Sequence, residues 1–209
     1  MLISDLIDFV HHGAPLPEKP IVLTFDDGYY NTYHYAMPLL EKYGMKMVLS
    51  VIGESADEWE KEVYADKKFG HLSWTRINEM LKTGRVELAN HTYALHRKGA
   101  GRKGAARKRG ESLEGFREVL SKDLLLMQNK VREHCKTTPE CFTYPYGNIS
   151  KGSDEIMREL GFKATLSCYG AMNVIEYGNP DCLYGIKRCN RAANRPVSAI
   201  LKEISKKQG

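Results

Sequence analysis

At 209 residues, 42% hydrophobic and 27% charged, the chain is long enough to bury one substantial core, and it holds no low-complexity tract or internal repeat. No apolar run reaches the 18 residues that a membrane-spanning helix needs, which excludes that class of architecture. The net charge of +5 is local rather than general: Arg97, Lys98, Arg102, Lys103, Arg107, Lys108 and Arg109 fall within residues 97–110 with no acid among them, and the rest of the chain is net −2.

In chain order, "MLISDLIDFVHHG" reads as an N-terminal helix with two aspartates and no basic leader, so it is not a secretion signal. The protein therefore stays inside the cell, or its leader lies outside this chain. "PIVLTF" (Pro20–Phe25) is a short β-prone run cut off by "DDG", a buried strand entering a turn. A helical stretch follows, with Tyr33, Met37, Leu40 and Tyr43 on one face, Pro38 interrupting it and Gly44 stopping it. "MKMVLSVIG" is a second strand; Ser73 caps a helix that stops at Gly84; "RVELAN" is a third strand. Residues 111–136 form a long helix with Leu113, Phe116, Leu120, Leu124, Met127 and Val131 in one stripe. "CFTYPYG" is a fourth strand and turn, Ser153 caps "DEIMRELG", "FKATLSC" is a fifth strand and "LYGIKR" a sixth. A final helix directs Val197, Ile200, Leu201 and Ile204 inward. Strands alternating with helices throughout predict parallel β/α units, as a reduced barrel or an open sheet, with chemistry on the loops after the strands.

Three such loops carry polar residues: Asp26–Gly28, Asn90–His96 and Tyr144–Asn148. Adjacent carboxylates at the rim of a buried sheet repel unless a cation or proton intervenes. A divalent metal resolves that conflict and lets one aspartate ligate while the other accepts a proton; a simple Asp-Gly turn is the competing explanation. His91 and His96, five residues apart, would diverge on a helix but can converge on a loop, and with one carboxylate they make an open three-ligand set. The five cysteines (Cys135, Cys141, Cys168, Cys182, Cys189) form no CxxC pair and read as incidental thiols.

"LTFDDGY", "NHTYALH" and "FTYPYGN", in this order, resemble the NodB-homology polysaccharide deacetylases of carbohydrate esterase family four. The likeness runs from about Pro15 to the C-terminal helix, and the histidine spacing is closest to the poly-N-acetylglucosamine deacetylase branch. The resemblance implies a deformed (β/α) barrel of six or seven parallel strands. It also implies a divalent metal, most often Zn²⁺, and removal of N-acetyl groups from an amino-sugar polymer by metal-activated water. On the matching positions, Asp26 is the expected base, Asp27, His91 and His96 the expected metal ligands, and Tyr146 the expected backbone oxyanion donor. Tyr144, Pro145 and Arg188 are expected to contact substrate.

Two departures from the family stand out. Thr143-Tyr144 occupies the place of the arginine that pairs with the base in many members, and Arg188 or Arg191 is positioned to substitute for it. The C-terminal general-acid histidine is missing, since no histidine follows Cys141. His11 and His12 are the upstream candidates, and a strand preceding this chain is the alternative. One catalytic domain over residues 1–209, lacking an N-terminal portion, would accommodate that alternative. The resemblance implies the cell envelope or secretion.

Residues 97–110 contain no aromatic residue and no apolar stripe, which argues against a nucleic-acid site and for a flexible, solvated loop. Beginning one residue after His96, such a loop would lie beside the metal, where it could steer anionic envelope polymers or touch an anionic membrane surface. Two further readings remain open on sequence: an amide hydrolase acting on a non-sugar substrate, and an inactive basic module that binds nucleic acid or another polyanion.

Overall fold

The computed structural model describes residues 1–61, 69–99 and 101–206. Five parallel strands form the main sheet: β1 (Thr24–Phe25), β2 (Met47–Val51), β3 (Val86–Asn90), β6 (Cys141–Thr143) and β7 (Ala164–Leu166), in spatial order β1-β2-β3-β6-β7. Each is separated from the next by helical chain, which is what parallel pairing demands. The connections hold the π-helical turn Thr32–Ala36 with α2 (Met37–Lys42), then α3 (Gly53–Trp59) and α4 (Trp74–Lys82), α5 (Leu113–Cys135), and α6 (Ser153–Glu159). Between β3 and α5 lies a separate two-stranded hairpin, β4 (Lys98–Gly99) and β5 (Arg102–Lys103). Helix α1 (Ile3–His12) precedes the sheet and α7 (Val197–Lys206) follows it.

Every residue of β2 is buried, as expected of a strand covered on both faces. Met47, Leu49 and Val51 point outward to α2, α4 and the C-terminal half of α5; Val48 points inward to Ile3, Leu6, Ile7 and Val10 of α1, which fill the hollow of the sheet. Phe142 of β6 and Tyr144 just after it meet the first half of α5 and α6 through Phe116, Leu120, Leu124, Ile156 and Met157, while Ala164 and Leu166 of β7 pack inward with α1. Ser73 and Ser112 cap α4 and α5, their hydroxyls accepting from Arg76 N at 3.3 Å and Gly115 N at 3.0 Å.

The sheet curls into the deformed (β/α) barrel form with fewer strands than six or seven. The "LYGIKR" segment makes one parallel bridge, Leu166 to Ile186, after a 3-10 turn at Pro180–Leu183; Gly185 at φ +71° breaks it as a strand. Ser153 is the first residue of α6 rather than its cap; Gly152 takes the cap position in the left-handed conformation. The last helix forms, but Val197 and Leu201 are 52% and 44% exposed and Ile200 alone is buried; the Ile204 side chain lies outside the described residues. Residues 97–110 depart furthest from expectation. Instead of a solvated loop they form the hairpin and a buried return, with Ala105 in the core beside Phe116 and Tyr144.

A half-buried carboxylate lies near the start of β3. Glu87 Oε2 accepts from Ser4 N (3.1 Å) and Ser4 Oγ (2.8 Å), and burial raises its pKa above the ordinary carboxylate value, helped by Asp5 and Glu140. A raised carboxyl pKa means extra stability below the unfolded value of about 4.3, lost as pH rises through the folded value. Glu87→Gln keeps an acceptor for Ser4 without the charge. It should leave the melting temperature unchanged near pH 4 and raise it near pH 7.5 by about 2–4 °C, for about 1 kcal/mol. Equal shifts at both pH values would show that Glu87 is not held against ionisation.

Candidate active site

The C-terminal ends of β1, β3 and β6 share one rim, and the residues just beyond them face one another. After β1 the chain turns back through two consecutive left-handed residues, Asp27 at φ +70° and Gly28 at φ +69°. This conformation costs an aspartate on the order of 1 kcal/mol, and such strain recurs at functional sites. It separates the two aspartates, which on an extended strand would also point apart but not toward these partners. His71 Nδ1 lies 3.0 Å from the Asp27 carbonyl and its ring 4.6 Å from that of Tyr29, holding the strained turn in place.

The loop after β3 is shaped by its neighbours. Asn90 Oδ1 accepts from Thr92 N (2.9 Å), while Asn90 Nδ2 donates to Leu124 O of α5. Asp123, also on α5, accepts from Tyr93 N (2.7 Å) and Ala94 N (2.9 Å). Thr92 sits at φ +72°. These contacts swing His91 and His96 together, with ring centroids 4.8 Å apart. His91 Nδ1 bonds the Thr143 carbonyl at 2.7 Å, which places a proton on Nδ1 and turns Nε2 toward the site.

Asp27, His91 and His96 offer ligand atoms that all lie within 4.8 Å of one another. Asp27 Oδ1 is 3.3 Å from His91 Nε2 and 3.2 Å from His96 Nε2, yet it is buried without a hydrogen-bond partner. An orphaned carboxylate oxygen facing two imidazole nitrogens fits a cation, and the nitrogen and oxygen donor set suits Zn²⁺ or a similar ion. Burial pushes the Asp27 pKa up, but His91 and His96 outweigh it and keep the carboxyl below its ordinary range. Burial and the neighbouring His91 hold His96 below the usual imidazole value, which favours the neutral form that can ligate.

Asp26 stands outside this ligand set. Arg188 grips it in a fork, Nη1 to Oδ1 and Nη2 to Oδ2 both at 2.7 Å, and is itself held by Ser167 O (2.6 Å), Thr24 Oγ1 (3.1 Å) and Cys168 Sγ (3.4 Å). Burial alone would raise the Asp26 pKa; the Arg188 hydrogen bonds and charge reverse that, so the carboxylate is ionised. Arg191 is turned away, its guanidinium on the Ala192 carbonyl.

The turn after β6 brings Tyr146 to the rim in the left-handed conformation (φ +58°), its ring 4.7 Å from His96. The turn's own bonds run from Gly147 N to Tyr144 O and from Asn148 N to Pro145 O. Tyr144, expected to meet substrate, is instead fully buried: side chains alternate along β6, so Phe142 and Tyr144 point outward under α6, where Tyr144 Oη donates to Asp154. Pro145 is likewise buried, against Gly104. His11 and His12 are exposed at the end of α1, and among the described residues no hydrogen bond or ion pair joins them to the site. Sequence reasoning missed His71 and Asp123, which act on backbone atoms 44 and about 30 positions away and follow no spacing pattern.

The sequence profile of the polysaccharide deacetylase family matches residues 13–165, nearly three quarters of the chain and every residue of the three motifs. The chain belongs to the polysaccharide deacetylase family. Among curated proteins, the poly-β-1,6-N-acetyl-D-glucosamine N-deacetylase of Escherichia coli K12 is 30% identical over 173 residues, covering 72% of this chain and 25% of its own length. The enzyme of the same name from Staphylococcus epidermidis is 23% identical over 167 residues, covering 78% of this chain and 52% of its own. The chain thus spans about a quarter to a half of the length of these relatives. Among solved structures, the deacetylase domain of BpsB from Bordetella bronchiseptica superposes with a TM-score of 0.76 at 28% identity, covering 90% of this chain and 77% of that one. IcaB from Ammonifex degensii, at 24% identity, shares the fold with a TM-score of 0.75 over the whole chain and 82% of its own.

Proposed function

We propose that the protein is a metal-dependent hydrolase that removes N-acetyl groups from a poly-N-acetylglucosamine-type polymer. The observation that carries this reading is the division of the two aspartates. Asp27 presents an orphaned oxygen to two imidazoles, while Asp26, one residue away, is kept ionised and off that cluster by Arg188. A divalent ion, most simply Zn²⁺, held by Asp27, His91 and His96 would supply Lewis acidity toward the acetyl carbonyl and the attacking water.

The chain's own groups do the rest. Asp26 takes the proton of the attacking water, and Arg188 orients the carboxylate and keeps it unprotonated until then. The Tyr146 N–H, aimed by its left-handed backbone, donates to the oxygen that becomes negative as the carbonyl turns tetrahedral. The C–N bond then breaks, and the proton held by Asp26 is available to the departing amine. The balance is one water consumed, with one acetate and one ammonium formed. Names of the relatives support the sugar, and the metal and base roles rest on the geometry of this chain.

The decisive test is acetate release from a β-1,6-linked N-acetylglucosamine oligomer by protein stripped with a chelator and then reloaded with zinc. Turnover should vanish and return. A panel of acetylated peptides and ureides run alongside identifies the alternative: turnover of those and not of the sugar would replace a polysaccharide substrate by another amide.

A further inference from the structure

The basic segment has a definite relation to the site. Three of its four arginines are anchored: Arg97 to Glu54, Arg102 to Glu111, and Arg107 to the Glu111 carbonyl. Gly104, at φ +60°, packs so tightly on the turn after β6 that a Cβ there would lie 2.8 Å from Pro145 Cβ and 3.0 Å from the Tyr146 ring. The hairpin is therefore docked against the rim. Lys98 and Lys103 are different. They stand directly opposite each other in the β4–β5 ladder, are exposed, and have no acidic partner among the described residues. Like charges facing each other across a ladder are destabilising. Both ammonium groups lie on one ring, that of Tyr146, at 5.0 Å and 5.5 Å from its centre, and that ring touches His96. The ring's negative face offsets part of the repulsion.

Two lysine charges thus stand within roughly 10 Å of the His96 ring, comparable to the screening length of about 8 Å at physiological salt. Deacetylation converts a neutral acetamido group into an ammonium group, so a polymer that has reacted once carries a positive charge next to its remaining acetylated sugars. We propose that the Lys98–Lys103 rung is a charge filter on the sugar beside the reacting one: it admits a neutral acetylated neighbour and disfavours one already deacetylated. Reacted sites would then be spaced along the chain. The filter rests on the deacetylase reading above and concerns the choice of substrate rather than the chemistry.

The test uses two β-1,6-linked pentamers, one fully N-acetylated and one with a single glucosamine at a fixed internal position, with the sites of acetate loss mapped by mass spectrometry. For the sugar next to the glucosamine, wild-type kcat/KM should be about tenfold lower than for the same position in the fully acetylated pentamer, a difference of about 1.4 kcal/mol. K98Q/K103Q should shrink that ratio to within about twofold, K98R/K103R should keep it, and the single Gln variants should fall between. Raising salt should shrink the wild-type ratio. A ratio that K98Q/K103Q leaves at the wild-type value, or a wild-type ratio near one, overturns the filter while the deacetylase reading stands. Absence of turnover of the fully acetylated pentamer by wild type overturns that reading instead, and the filter with it.

Discussion

Asp27→Asn should remove metal binding while leaving the metal-free fold intact. In the wild type, Asp27 Oδ1 faces the Nε2 atoms of His91 and His96 at 3.3 and 3.2 Å, and His91 Nδ1 is committed to Thr143 O. An amide at this position removes the anionic ligand but keeps the shape and a polar group facing both Nε2 atoms, so the protein should still fold. Loss of an outer-shell partner typically costs 10–100-fold in metal affinity. Loss of a ligand should exceed about 100-fold and bring acetate release to background. Metal content after dialysis, with melting curves in chelator and in zinc, checks this. Retention of one equivalent at wild-type affinity would remove Asp27 from the ligand set.

Arg188→Gln acts on the other aspartate and should have the second largest effect. The fork to Asp26 is mostly buried, with side-chain exposures of 14% and 28%, so removing one partner strands a carboxylate. The destabilisation should be about 3 kcal/mol, the low end for breaking a buried pair, since Asp26 keeps some solvent. kcat should fall roughly 100-fold, the scale set by misplacing a reacting group by an ångström, with metal content unchanged. Arg188→Lys returns the charge without the fork and should recover only part of kcat. The pH dependence has a definite sign. Asp26 has a lowered folded pKa, so its stability contribution is present above the unfolded value of about 3.9 and is lost as pH falls through the folded one. The variant should lack this acid-side loss. Turnover equal to wild type would show that the pair is structural.

What could be read from residues alone followed the range of the physics. Asp26, Asp27, His91, His96 and Tyr146 sit one to six residues beyond strands whose apolar runs are unmistakable, so their placement on one rim followed from the parallel β/α pattern. Arg188 was one of two candidates, and only the fold, which joins it to Asp26 across 162 positions, separates it from Arg191. Tyr144 was expected at the rim, but the pleat of β6 continues through it and turns its side chain outward under α6, and only Tyr146, past Pro145, reaches the rim. The basic hairpin was misread because its order comes from Glu54 and Glu111, acids outside the segment whose charge it was judged by. The sixth strand was lost to Gly185, whose left-handed backbone no apolar pattern announces.

The hydrogen bonds from Asn90, Asp123 and Thr143 that shape the histidine loop are all made by protein atoms, and none needs an ion to form. These bonds should order the loop before any ion is bound, unlike in small metal-folded domains whose ligands come together only on loading, so the proposed metal should be removable and returnable without unfolding the chain. The thermal shift on adding zinc should then grow smoothly with the logarithm of its concentration, as for any ligand of a preformed site.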